Sequence, residues 1–191
     1  MVESLAKIII SVSWGVFIVV WMLAALFAKR TVYRESAARR LRYILPILCG
    51  WYLIFRGYRL GPPFNNHLIP ETEAILAGAA ILCLCGLAFC LWARAVLGRN
   101  WSGTVTLKEN HELIVRGPYR LVRHPIYTGL LAMLLATWLE QSHLAGMIGL
   151  VLTFISFWIK LGQEEEVMGN QFPDQYPAYR ERVKRIIPYV L

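Results

Sequence analysis

Charge is scarce in this chain. Only 17% of its 191 residues are Asp, Glu, Lys or Arg, against about 25% in ordinary soluble domains, and the 12 acids are outnumbered by 20 bases. Cysteine is sparse as well. Cys49, Cys83, Cys85 and Cys90 all fall in apolar runs, without the spacing of a metal or redox motif, so they read as apolar fillers with free thiols. No G-x-G-x-x-G occurs, which leaves no fingerprint of a Rossmann domain. There is no internal repeat and no low-complexity segment.

What the chain has in excess is hydrocarbon: 57% of the residues are hydrophobic and the mean hydropathy is +0.48, where roughly 45–50% apolar is usual. Lipid must cover that surplus. Ile8 to Ala28 holds no charge and, at 1.5 Å per residue, is about as long as the ~30 Å hydrocarbon core. It is longer than a signal-peptide core and is followed by basic residues rather than a small-x-small site, so it reads as a retained anchor. Tyr43 to Phe55 is short and carries Pro46; it is either a thin, tilted span or part of a longer helix starting in the basic loop before it. Ala74 to Leu97 spans easily. The last apolar block divides at residues 140–143 into Ile126 to Leu139 and Leu144 to Leu161, a helical hairpin. The expected fold is therefore an all-α integral membrane protein of about five transmembrane helices. Residues 1–97 form a three-span region, and 98–191 hold the cytoplasmic loop, the hairpin and a C-terminal amphipathic helix.

Basic residues give the orientation. With five spans, loop 29–42, segment 99–125 and the tail with Arg180, Arg182, Lys184 and Arg185 fall on one side, while Lys7, Arg56 and Arg59 remain on the other. By the positive-inside rule the rich side is cytoplasmic. The formal charge of +8 is then mainly a topology signal, with attraction to anionic membrane lipid as a secondary effect. No recognition motif for nucleic acid accompanies it. Arg94 sits where it would snorkel to headgroups, and His67 and His143 read as ordinary loop residues.

The hairpin brings distant residues to one rim. The fourth span starts near Ile126 and the fifth ends near Leu161, so Arg123, His124 and Tyr127 must lie close to Lys160, Glu164 and Glu165. Pro125 opens the fourth helix where its missing N–H costs nothing, and the free backbone donors there suit a carboxylate or phosphate. Arg116 and Arg120 also read as plain positive-inside anchors, and Tyr176, Tyr179 and Val183 as the stripe of a short amphipathic helix.

These residues carry a resemblance. HELIVRGPYRLVRHPIY (residues 111–127), the upstream GRNWS and the downstream EEEVMGNQFPDQYPAYRERVKRIIP resemble the isoprenylcysteine carboxyl methyltransferase family, whose wider relatives include membrane phospholipid methyltransferases. The likeness covers Gly98 to Pro188 and agrees with five spans. It implies S-adenosylmethionine as methyl donor without a Rossmann domain. By the same resemblance His111, Glu112, Leu113 and Ile114 line the cofactor, Tyr119, His124, Pro125, Ile126 and Tyr127 complete its pocket, and Glu164 or Glu165 closes it. The family's substrate-facing arginine is replaced here by Lys160, which keeps the charge and loses the bidentate fork. Pro173 likewise stands where glycine is common. Glu164, Glu165, Lys160 and Arg123 form the expected catalytic set.

Methyl transfer from a sulfonium is an in-line displacement, so the protein has to align donor and nucleophile and exclude water. A carboxylate acceptor is already ionised, whereas an amine or thiol needs a base, for which Glu165 or His124 is a candidate. The first reading is a methyltransferase acting on a lipophilic or prenylated acceptor. A phospholipid N-methyltransferase or small-molecule N/S-methyltransferase is the near alternative, followed by a sterol-reductase-like NADPH enzyme and a noncatalytic scaffold. The oligomeric state is left open.

Overall fold

The computed structural model describes residues 1–27, 29–108 and 112–190. Its long helices are α1 (Val2–Ala25), α2 (Ala37–Arg56), α3 (Glu73–Leu97), α4 (Pro125–Gln141) and α5 (Leu144–Gln171), with a short α6 (Tyr176–Arg182) after them. An antiparallel ribbon, which the sequence reading did not include, pairs β1 (Thr31–Arg34) with β2 (Thr106–Lys108). It ties the loop before α2 to the loop after α3.

Among the described residues three helices, α1, α3 continued to Asn100, and α5, are long and apolar enough to cross a membrane. They also expose large apolar side chains, such as Met22 on α1, Ile81 on α3 and Val151 on α5, as a lipid-facing belt requires. α2 resolves the ambiguity at Tyr43 to Phe55: that segment is the inner part of a longer helix that starts in the basic loop, with Pro46 inside it. Ser36 makes the start possible, because its side chain accepts a hydrogen bond from Arg39 N at 3.3 Å. α5 has 28 residues, about 42 Å of helix, so its last turns run beyond a ~30 Å hydrocarbon core. Those turns carry Glu164 and Glu165.

The hairpin turn is built as a capped corner. Ser142 takes a left-handed conformation with φ 51°, and the His143 ring accepts from Gly146 N at 2.8 Å to cap α5. His67 meets Ser142 Oγ at 3.0 Å, so both histidines serve this corner.

Of the three main helix pairs, only α3 with α4 joins consecutive helices. α3 packs chiefly on α4, α2 on α5, and α1 on α3. Glycine makes both principal crossings close. A Cβ on Gly129 would meet Gly86 O at 2.6 Å and one on Gly86 would meet Gly129 O at 2.7 Å, while one on Gly149 would meet Leu53 Cβ at 2.9 Å. Small residues at such crossings let backbones approach and gain dispersion contact where lipid offers no hydrophobic drive. Gly129→Leu is expected to destabilise the protein by about 1–3 kcal/mol through overpacking, seen as a lower thermal midpoint in detergent. Gly15→Leu, where a Cβ meets nothing within 4 Å, should lower it not at all.

α1 and α2 face each other across a cleft in front of α4. Aromatic rings partly fill it: Trp14 lies 5.6 Å from Trp51 and 5.4 Å from Phe55, and Phe17 stacks on Trp21 at 4.0 Å. Arg94 holds one end, donating to Ala24 O at the end of α1 at 2.9 Å and to Gly98 O, with Trp101 beneath its guanidinium at 5.1 Å.

Candidate active site

At the end of the bundle that holds the C-termini of α1 and α5, the cleft widens into a cavity of about 340 Å³. Three parts of the chain wall it. Segment 100–106 and Glu112 to Ile114 form one side, Tyr119 and Arg123 to Tyr127 a second, and Phe157, Lys160 and Glu164 of α5 a third. Tyr176 and Tyr179 of α6 also reach it, and Phe17, Trp21 and Trp51 make its deep apolar floor. One end is thus charged and hydrogen-bonding, the other aromatic.

Glu164 and Glu165 have different duties because successive helix residues diverge by ~100°. Glu164 faces the cavity. Tyr127 donates to its Oε1 at 2.5 Å, Lys160 Nζ lies 3.8 Å from the same oxygen, and His124 Nδ1 lies 3.6 Å from Oε2. Glu165 points behind the wall, its side chain only 4% exposed. Arg123 reaches it through Nε at 2.9 Å and Nη2 at 2.8 Å, Arg185 through Nε at 3.0 Å and Nη2 at 2.6 Å, and His124 Nε2 lies at 3.1 Å. The imidazole of His124 therefore sits between two carboxylates. That position explains why, as the residue before α4, it makes no side-chain cap.

Arg123 does more than pair with Glu165. Its Nη1 donates to Arg180 O at 3.1 Å and to Val183 O. The tail is then sewn along the start of α4: Arg123 N donates to Lys184 O at 2.8 Å, His124 N to Arg185 O at 3.0 Å, and Thr128 Oγ1 to Ile186 O at 2.7 Å. Tyr179 adds a bond to Tyr119 O at 2.7 Å. Burial holds the phenols of Tyr119, Tyr176 and Tyr179 above their ordinary pKa, so each remains a neutral donor at physiological pH. α6 and the tail thereby roof the cavity.

Lys160 is buried beside the cavity, donating to Gly103 O at 2.7 Å with its ammonium 5.3 Å from the centres of both Tyr43 and Tyr127. Aromatic faces and a carbonyl make a cation acceptable there.

Of the residues singled out from sequence, Glu112, Leu113, Ile114, Tyr119, Arg123, His124, Pro125, Ile126, Tyr127, Lys160 and Glu164 come together around one cavity. Glu165 does not line it, and Arg123, though on its wall, has its guanidinium occupied by Glu165 and the tail. His111 lies outside the described residues, and Arg116 and Arg120 are exposed. Sequence reasoning missed Arg185 as a partner of Glu165 and Tyr43 as a support of Lys160. Arg185 carried only a topology signal, and Tyr43 sat in a segment read as lipid-embedded.

The family described as phospholipid methyltransferase matches residues 74–175, just over half of the chain. The chain belongs to this family. The matched region contains nearly all of α3, the RHPIY stretch, the hairpin and both glutamates, so all three walls of the cavity lie within the family's shared part. Among curated relatives, the protein-S-isoprenylcysteine O-methyltransferase of Schizosaccharomyces pombe is 32% identical over 134 residues, 66% of this chain and 56% of its own. Protein-S-isoprenylcysteine O-methyltransferase B of Arabidopsis thaliana is 27% identical over 96 residues, 49% of each chain. Methanethiol S-methyltransferase 1 of Bradyrhizobium diazoefficiens is 33% identical over 72 residues, 37% of this chain and 24% of its own. The chain spans about half the length of the curated relatives it matches.

Proposed function

We propose that the protein is a multi-pass membrane methyltransferase that uses S-adenosylmethionine and methylates a lipophilic acceptor. The carrying observation is the cavity itself, whose volume of about 340 Å³ falls within the range of small-ligand sites and whose walls come from family-matched segments. Its chemistry fits the donor: an amino-acid head needs an anion, a cation and backbone donors, and an adenosyl group needs aromatic and apolar walls. Glu164 would receive the positive head, the start of α4 would face the carboxylate, and Tyr119, Ile114 and Ile126 would flank the nucleoside. When bound, the cofactor supplies a methyl group made electrophilic by sulfonium.

The chain's own residues align and exclude water. Tyr127 and His124 fix the Glu164 carboxylate, Glu165 holds Arg123, Arg185 and His124 in place, and the α6 roof keeps the cavity dry. Lys160 is the residue to meet an anionic acceptor, which favours a carboxylate, in keeping with the O-methyltransferases among the relatives. The S-methyltransferase relative and the lysine in place of arginine support a small thiol as second reading. In this reading all of α1–α5 cross the bilayer, the basic loops and the cavity face the cytoplasm, and the acceptor arrives laterally through the cleft between α1 and α2.

Calorimetric titration of S-adenosylhomocysteine into detergent-purified protein is expected to show one site per chain. A transfer assay with labelled donor should then label a prenylated cysteine carboxylate in preference to amines. Well-folded protein that binds no S-adenosylhomocysteine would sink the reading, and labelling of thiols alone would replace the carboxylate.

A further inference from the structure

The opposite end of the same cleft holds a second cavity, of about 370 Å³. It lies between the first half of α1, the second half of α2 and the end of α4. Trp51 lines both cavities. This second one plays no part in the chemistry proposed above, and it combines three features that call for a ligand.

The first is Glu140. Its side chain is 8% exposed and lines the cavity, yet among the described residues its carboxylate accepts no hydrogen bond. Its nearest cation is Lys7 Nζ at 3.8 Å, beyond hydrogen-bond reach, while Glu71 and Glu3 add negative charge around it. A buried carboxylate without donors is costly, so a cation in the cavity is the natural complement. The second is the aromatic wall. Trp14 stands edge-on to both Trp51 and Phe55 and is anchored by its own bond to Thr137 Oγ1 at 2.9 Å. Aromatic faces beside a carboxylate suit a substituted ammonium. Among the described residues Trp51 Nε1 is buried without a partner, a spare donor in the same wall. The third is Lys7, half-exposed at the mouth, whose ammonium gives one donor to Glu3 at 2.5 Å and keeps others for an anion outside the carboxylate.

An ammonium inside, an anion at the mouth and apolar walls from Ile10, Ile18 and Phe55 describe one amphiphile. We infer that this cavity binds the head of a zwitterionic phospholipid, its ammonium on Glu140, its phosphate on Lys7 and its acyl chain along the α1–α2 cleft. The assignment rests on the reading of the bundle as membrane-spanning, which puts this mouth at the headgroup level of the leaflet away from the methyl-transfer cavity.

The test uses the full chain in detergent, with tryptophan fluorescence reporting titrations of dihexanoyl phosphatidylethanolamine, dihexanoyl phosphatidylglycerol and chain-free phosphoethanolamine. Phosphatidylethanolamine should bind about tenfold more tightly than phosphatidylglycerol, and Glu140→Gln should remove that preference. Lys7→Gln, on an exposed rim and without risk to folding, should weaken phosphatidylethanolamine several-fold. S-adenosylhomocysteine binding, measured on the same samples, should be unchanged in both variants, and Glu164→Gln should retain phosphatidylethanolamine. Equal binding of the two lipids, or affinity untouched by both variants, overturns the inference. Phosphoethanolamine binding as tightly as the lipid would assign the site to a soluble amine and overturn the lipid. Loss of the lipid in Glu164→Gln instead would place it in the methyl-transfer cavity. Failure of S-adenosylhomocysteine to bind while the lipid preference holds would remove the proposed activity and leave this site standing.

Discussion

Replacing Glu165 by alanine is expected to lower the stability of the protein by about 3–5 kcal/mol, the usual cost of stripping one partner from a buried ionic cluster. Arg123 and Glu165 are 8% and 4% exposed at their side chains, so solvent cannot replace what is lost. The guanidinium groups of Arg123 and Arg185 would then crowd together without the carboxylate that joins them. The damage should extend along the tail, because Arg123 also carries the carbonyls of Arg180 and Val183. Thermal unfolding in detergent measures the first effect, and faster protease cleavage within residues 176–188 the second. An unchanged midpoint with an uncut tail would show that the cluster does not hold the roof.

Glu164→Gln should behave in the opposite way. Its carboxylate is more accessible, with 22% of the side chain exposed, and glutamine preserves shape and can still accept from Tyr127. The thermal midpoint should stay near wild type. What disappears is the negative charge facing the cavity, so S-adenosylhomocysteine affinity should fall at least about tenfold and methyl transfer at least about 100-fold, the scale of removing one preorganised electrostatic contact. The pair of variants separates a residue that holds the site together from one that faces its contents. Wild-type turnover in Glu164→Gln would move the role elsewhere in the cavity.

The apolar runs were legible because charge-free segments of bilayer length admit few other structures, and the hairpin because only a few polar residues interrupt the last run. The meeting of Arg123, His124 and Tyr127 with Lys160 and Glu164 followed from that hairpin alone. The division of labour between the glutamates was not legible, since adjacent letters in a sequence do not show which side of a helix each faces. Arg185 was hidden for another reason. Its part depends on a tail that runs beside Val122 to His124, a long-range pairing with no local pattern. The extent of α2 was half legible: Pro46 argued for interruption and the basic loop left room for a longer helix, and one helix runs through Pro46, with Gly50 packed against Gly149. The cleft and its two cavities follow from which helices pair, and hydrophobicity says little about that when every span is apolar.

That pairing has a consequence for biogenesis. α2 finds its main partner only in α5, and the glycines at their crossing are about 100 residues apart. At ~5–20 residues per second of synthesis, α2 waits roughly 5–20 s at the ribosome before that partner exists, whereas α1 and α3 can associate sooner. During that interval α2, with Arg39, Arg40 and Arg42 in its first turns, is the helix most in need of a surrogate. A mutation that weakens the α2–α5 crossing should therefore be felt first as loss of nascent protein to quality control.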